Sequence, residues 1–321
     1  MVRLELEPLN ALVKVFSSGQ IHLPRKPISE TSLPYPLASD VSVQDFNSFI
    51  ESKDRIGYKI EYKNGTVFIV DMPTAEHEKV VILLIKRFDV PNGGVRDFNA
   101  PLQIVGQSCK GIPSSLLDLW LVDFISSPFH TVHESPSRDG SRIMPDLAVQ
   151  PHHLFVPQPP VPHPSPPPSN TRGNPYSRIV VEVAMGQSSS SLKDKCRKWK
   201  REPYVRAILG IKLYEIKDTR NAQGYRDRAM KAILWRQGVR RQTWKFGTIN
   251  KDGSATGVNG CNALNNPDYI INIPVSDVFY DPPVPAIGYV PFAPPPAALM
   301  ATNITIDLYE VQQVVLPVQP D

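Results

Sequence analysis

The stretch from Ser177 to Tyr204 constrains this chain more than any other: a short apolar strand, a serine cluster and a strongly basic helix follow one another. Arg178-Ile-Val-Val-Glu-Val-Ala-Met185 is a β-branched apolar run that predicts a buried strand. Within it sits one carboxylate, Glu182, and burying a charge there is costly without a partner. Ser191-Leu-Lys-Asp194 has the Ser-x-x-acid pattern of a capping box and Pro203 is a stop, so a helix is expected over roughly 192 to 202. Leu192, Cys196 and Trp199 recur on it at the i, i+4, i+7 spacing of a buried face. Lys195 shares that face, while Lys193, Arg197, Lys198, Lys200 and Arg201 lie mostly outward.

Along the chain, residues 1–40 carry several prolines and no clear periodicity, and read as an N-terminal extension. Ser42-Val-Gln-Asp45 is a second capping box, opening a short helix with Phe46, Phe49 and Ile50 on one face. Tyr58 to Tyr62 and Thr66 to Val70 flank Asn64-Gly65, whose tolerance of left-handed backbone predicts a tight β-hairpin. A helix then begins near Thr74, with His77, Val80, Val81, Leu84 and Ile85 spaced to lie on a sheet. Strands are expected at Phe98 to Val105, Leu117 to Ile125 and Arg142 to Val149, the last carrying a second carboxylate, Asp146. Val205 to Ile216 reads as a further central strand, Tyr225 to Trp235 as a helix, and Gln242 to Ile249 with the turn at Asp252-Gly253 as a hairpin. Tyr269 to Pro274 reads as a strand running into a short helix, and Ile304 to Val315 as an isolated amphipathic strand. This order predicts an α/β (α+β) domain over 41–280, built on a mixed central sheet flanked by helices. Proline occurs 34 times in 321 residues, roughly twice its ordinary frequency, and ten of these lie between Pro151 and Pro175. That marks 151–176 as a Pro-rich insertion, and 281–321 reads as a Pro-rich C-terminal extension.

The three cysteines form no close pair, which fits a reducing compartment and excludes a Cys-based zinc site of the usual spacing. No apolar run approaches the ~18 residues of a membrane-spanning helix, so no membrane association is expected and a soluble intracellular protein, cytoplasmic or nuclear, is. Lys plus Arg exceed Asp plus Glu by 35 to 31, so global charge does not by itself argue for nucleic acid.

Asp146, Glu182 and Lys195 together form a chemical kit. One or two carboxylates with water hold Mg²⁺, the ion polarises a phosphodiester oxygen, and a lysine beside it orients the attacking water. From the residues alone, Lys195 reads first as a lysine whose stem packs on Trp199, His77 as a satisfied core histidine, and Glu61 as a solvated cross-strand partner.

Met144-Pro-Asp146 followed by Val180-Val-Glu-Val183 resembles the PD-(D/E)XK nuclease superfamily, in particular its small restriction-endonuclease-like group. In that group the third position of the E-x-K motif is commonly apolar, as Ala184 is, and a helix lysine substitutes for it. Leu192-x-x-Lys195-x-x-x-Trp199 is similar to the group's Leu-x-x-Lys-x-x-x-Tyr helix. Tyr58-x-x-Glu61-x-x-Asn64-Gly65 and Met72-Pro-Thr-Ala-Glu-His77 are similar to its hairpin and helix start. The resemblance covers about residues 41 to 280. It implies a restriction-endonuclease-like fold and a Mg²⁺-dependent endonuclease acting on DNA, with Asp146 and Glu182 holding the metal, Lys195 assisting the water and Glu61 as an auxiliary acid. The departures are the long insertion between Asp146 and Glu182, Trp199 for Tyr, and Pro203 where a Gly is usual.

Nucleic-acid contact is expected from Lys193, Arg197, Lys198, Arg240 and Arg241, which lie in two basic stretches with Trp235 and Trp244 interleaved in the second. A homodimer and, through patterns such as Pro157 to Pro160, a Pro-motif-binding protein are the further expected partners. The alternative left open is a catalytically inactive nuclease-fold module that binds nucleic acid or a protein partner.

Overall fold

The structure, a computed structural model, describes residues 21–24, 28, 32–52, 58–71, 74–95, 99–106, 145–156, 175–280 and 293–320. The expected strand at Leu117 to Ile125, the residues 142–144 and most of the Pro-rich insertion lie outside the described residues.

Among the described residues, three sheets carry the architecture. β1 (Tyr35–Ala38), β3 (Thr66–Asp71) and β2 (Lys59–Lys63) form an antiparallel sheet in that spatial order, capped by helix α1 (Val43–Ser52). Its core is Phe46, Ile50, Ile60, Tyr62, Val67 and Ile69 with Leu37 and Val41. The hairpin turn follows the expected chemistry, Asn64 at φ 48° and Gly65 at φ 79°. Because β1 pairs with β3, the residues just before 40 belong to this sheet, a correction to the expected N-terminal extension.

The main sheet runs β4 (Leu102–Gly106), β5 (Leu147–Pro151), β6 (Ile179–Ala184), β7 (Ala207–Arg220), β8 (Arg226–Arg236), β9 (Val239–Gly247). Its neighbours are antiparallel except β6 and β7, which run parallel and are joined by helix α3 (Ser189–Arg201), as a parallel pair requires. Helix α2 (Ala75–Asp89) covers the opposite face and shares its core with Val181, Val183, Leu209 and Ile211.

Further sequence expectations fail along the chain. Residues 226–236 form β8 rather than a helix: Ala229, Met230, Ala232 and Leu234 are good helix formers, but two-sided burial between β7 and β9 overrides local propensity. The stretch from 304 is also not one strand. β11 (Asn303–Asp307) pairs with β10 (Ile270–Pro274), and after helix α4 (Ala297–Met300) and β11 comes α5 (Leu308–Val315), opened by Asp307 accepting the Tyr309 amide at 2.8 Å. Ile304, Ile306, Leu308, Val311 and Val315 are fully buried in the main core, so residues 303–316 are part of the domain and not an extension. The short helix expected after β10 is a 3₁₀ turn, Val275–Asp277. Among the described residues no helix is long and apolar enough to cross a membrane.

Candidate active site

Period-two alternation decides which way Glu182 points. Val181 and Val183 enter the α2-side core, whereas Val180 and Ala184 pack with Leu192, Cys196 and Trp199 of α3. Glu182, on the latter parity, therefore faces α3. The helix starts earlier than its Ser191 pattern suggests, because Ser188 Oγ accepts the Ser191 amide at 3.1 Å. It lies close to the sheet because Gly210 of β7 stands opposite Glu182; a Cβ there would come within 3.2 Å of Cys196 Sγ. That approach, with the 195/199 spacing of one helical turn, lets Trp199 Nε1 donate to Glu182 Oε1 at 2.6 Å and sets Lys195 Nζ 3.1 Å from Glu182 Oε2.

Asp146 sits immediately before β5 and is held beside Glu182 by the backbone: its amide donates to Val181 O at 3.1 Å and its Oδ2 accepts the Val183 amide at 2.7 Å. The hairpin supplies the opposite wall. Ile60 and Tyr62 enter the small core, so Lys59 and Glu61 share the other face, with a bulge in the β2–β3 register next to Lys59. Lys59 Nζ reaches Asp146 Oδ1 at 2.5 Å and Glu182 Oε2 at 2.8 Å, and Lys195 Nζ reaches Glu61 Oε1 at 2.7 Å. His77, in the first turn of α2, places Nε2 3.2 Å from Asp146 Oδ1, at ion-pair distance without hydrogen-bond alignment, and Nδ1 2.9 Å from Glu78 Oε1.

Side chains of Lys59, Asp146 and Glu182 are 4%, 3% and 2% exposed, and Glu61 at 19% forms the outer rim. Burial works against charge on all of them, and the outcome differs by partner. Burial is outweighed by Lys59 and then His77 at Asp146, whose carboxyl is held far below the usual range. Glu182 is pushed up by burial in spite of Lys195 and Lys59. Burial opposes charge on Lys59, but Asp146 and Glu182 prevail and raise its pKa, while Glu61 is lowered because Lys195 outweighs its burial. Burial disfavours the imidazolium of His77, yet Asp146 and Glu78 raise it to about 10.

The four residues expected at the site, Asp146, Glu182, Lys195 and Glu61, are thus brought together, and Glu61 is a partner of Lys195 rather than a solvated cross-strand residue. Lys59 was missed, although its i, i+2 relation to Glu61 on a predicted strand places both on one face. His77 is more than a core histidine, since it faces Asp146. Lys193, Arg197, Lys198, Arg240 and Arg241 lie outside the centre; Arg197 pairs with Asp194 on the exposed helix face at 2.5 Å. Lys198 lies near enough to Glu61 to lower its pKa. Gln237, in the β8–β9 turn, donates to Lys200 O at 3.1 Å and Val205 O at 3.2 Å, which sets the turn beside the end of α3. Exposed Arg240 and Arg241 follow that turn.

The carboxylate pair has the hard oxygen donors that Mg²⁺ prefers, but as arranged it does not fit the ion. Mg²⁺ needs near-octahedral oxygen ligands at about 2.0–2.1 Å and keeps several waters. Here Asp146 Oδ1 and Glu182 Oε2 converge on an ammonium, and the remaining oxygens accept from Val183 and Trp199. Among the described residues, no group of three or more His, Cys, Asp or Glu is disposed to hold a metal.

No family model matches this chain, and no curated protein matches it. Among solved structures it is similar to a candidate nuclease belonging to DUF820 from Anabaena variabilis, at 10% identity over 62% of this chain and 82% of that one, with a TM-score of 0.34, too low a likeness to carry a fold or a function.

Proposed function

We propose that this protein is a nuclease-type scaffold, related in design to the PD-(D/E)XK nucleases, that binds a nucleic-acid backbone, DNA in the first place, without metal-dependent cleavage. One observation carries the reading: Lys59 Nζ takes the position between Asp146 and Glu182 that the hydrolytic mechanism reserves for a cation. What remains is a phosphate-tracking surface. It begins at the rim with Lys198, continues through Lys200 and Arg201 at the end of α3, and crosses the β8–β9 turn to Arg240 and Arg241. Glu61 and Lys195 lie at the inner end of that track.

A second reading, a Mg²⁺-dependent endonuclease, is favoured by the convergence of Asp146, Glu182, Lys195 and Glu61 from four separate elements. A paired assay separates the two. Fluorescence polarisation with labelled duplex DNA is expected to show the logarithm of the binding constant falling linearly with log salt, and Arg240→Ala/Arg241→Ala to reduce the magnitude of that slope by about 2, roughly one per lost phosphate contact. Supercoiled plasmid with excess Mg²⁺ is expected to stay intact. Nicking that disappears in Asp146→Ala overturns the first reading for the second, and salt-independent retention of DNA removes the binding surface from both.

A further inference from the structure

Lysine faces lysine across three strands of the main sheet. Lys212 of β7 stands directly opposite Lys231 of β8, and Lys231 directly opposite Lys245 of β9. Cross-strand partners share a face, and like charges placed in this way destabilise a sheet. The face is the one α3 covers, because Gly210 and Ile233, two residues before Lys212 and two after Lys231, pack there against Leu192 and Cys196. The row lies just beyond the start of that helix: Lys212 Nζ donates to Met185 O, and Ser189 Oγ donates to Tyr214 Oη at 3.3 Å. Lys251 adds a fourth cation, its Nζ 5.2 Å from the centre of the Tyr214 ring. Lys231 is half-buried, and Lys245 and Lys251 are exposed. Among the described residues none of these three forms an ion pair. Asp252 acts on Lys245 only from a distance: its carboxyl is lowered first by the hydrogen bonds of Ser254, at 2.6 and 3.0 Å, and last by Lys245.

The same face continues along β9. Lys245, Thr243 and Arg241 alternate with Trp244 and Gln242 and are all exposed, while Trp244 turns to the main core. From Arg241 to Lys245 the strand covers about 13 Å, close to the rise of four nucleotides in one strand of a duplex. We infer that the Lys212–Lys231–Lys245 row, extended along β9 to Arg241, is a second phosphate-contact surface, and that a nucleic-acid backbone bound at the β8–β9 turn runs from there along the edge of the main sheet. The inference rests on the nucleic-acid-binding function just proposed and adds the direction in which the strand leaves the turn. Charge complementarity selects the occupant. One small anion would neutralise one position, whereas a row of cations continuous with Arg241 matches a polymer of regularly spaced phosphates, which also relieves the repulsion between the lysines.

The salt dependence of binding to labelled duplex DNA tests the row. Lys231→Gln/Lys245→Gln is expected to reduce the magnitude of the slope of log binding constant against log salt by about 2. Lys79→Gln/Lys86→Gln, the same change of charge on α2 across the sheet, is expected to leave it unchanged, and Lys231→Arg/Lys245→Arg to keep the wild-type slope. The unfolding midpoint of the Gln pair is expected at or above that of the wild type, because repulsion is lost. Lys245→Gln/Lys251→Gln, exposed at both positions, serves if the first pair does not fold. Wild-type binding with an unchanged slope in the folded Gln variants overturns the inference and leaves DNA contact at Arg240 and Arg241 standing. Absence of DNA binding in the wild type overturns it together with the proposed function. A wild-type midpoint raised by inorganic phosphate at constant ionic strength, with no rise in Lys231→Gln/Lys245→Gln and no DNA retained, assigns the row to a small phosphorylated ligand and also overturns it.

Discussion

Replacing Lys59 by methionine is expected to cost about 3–5 kcal/mol of folding stability. Methionine keeps most of the stem, so little packing is lost. What goes is the ammonium that bridges two carboxylates 3% and 2% exposed, leaving only His77 on Asp146 and Lys195 on Glu182 to offset their charge. Removing one member of a buried ion cluster strands the others, and that penalty exceeds anything the intact pair contributes relative to an apolar replacement. Urea unfolding measures it as a lower midpoint with an unchanged slope. Lys63→Met, on the same strand but exposed, is the control and is expected within about 0.5 kcal/mol of wild type. Adding Asp146→Asn and Glu182→Gln to Lys59→Met is expected to recover much of the loss, because the three groups act as a unit. A single-variant loss below about 1 kcal/mol would show that the ammonium is not the partner the carboxylates depend on.

The second large effect is on pH. His77 has a folded pKa of about 10 against 6.5 unfolded, since Asp146 and Glu78 outweigh its burial. A raised pKa contributes stability that is fully present below the unfolded value and is lost as pH rises through the folded one. Stability is therefore expected to fall between pH 6.5 and about 10, by up to about 1.4 kcal/mol per pH unit while only the unfolded chain releases the proton. Asp146 acts at the other end. Its depressed pKa contributes stability above the unfolded value of 3.8 that is lost as pH falls below it. Glu182, raised above 4.5, works in the same sense as His77, its contribution falling as pH rises through the interval between its two values. Maximal stability is thus expected on the acid side of neutrality. Unfolding midpoints measured from about pH 5 to 9 test this. His77→Gln should flatten the alkaline limb, and an unchanged slope in that variant would assign the limb to other groups.

Local signals in the chain were strong where one physical rule acted alone. Asn64-Gly65 gave the hairpin, Ser42-Val-Gln-Asp45 the start of α1, with Ser42 Oγ accepting the Asp45 amide at 3.0 Å, and the Glu182 strand its place in a buried sheet. They failed where two rules compete. In 226–236 helix-forming residues are overruled by neighbours on both edges. In 303–315 the alternation of Ile304 and Ile306 gives way to the helical spacing of Leu308, Val311 and Val315, and the change of period within a dozen residues reads as one weak strand. At the site, residue types and order pointed to Asp146, Glu182, Lys195 and Glu61. Which cation sits between the carboxylates was not legible, because it depends on how the hairpin docks on the main sheet, and no local pattern encodes that docking.

The same docking orders events in time. Lys59 finds Asp146 across 87 positions of sequence and Glu182 across 123, whereas the hairpin, the helices and the β7–β8–β9 meander all close locally. Contacts of such long range come after the loops between them have surrendered their entropy, so the charge cluster assembles late, once the two sheets exist. Interactions absent from the folding transition state act on the rate of escape from the native state. Lys59 is therefore expected to act as a latch, its loss raising the unfolding rate far more than it lowers the folding rate.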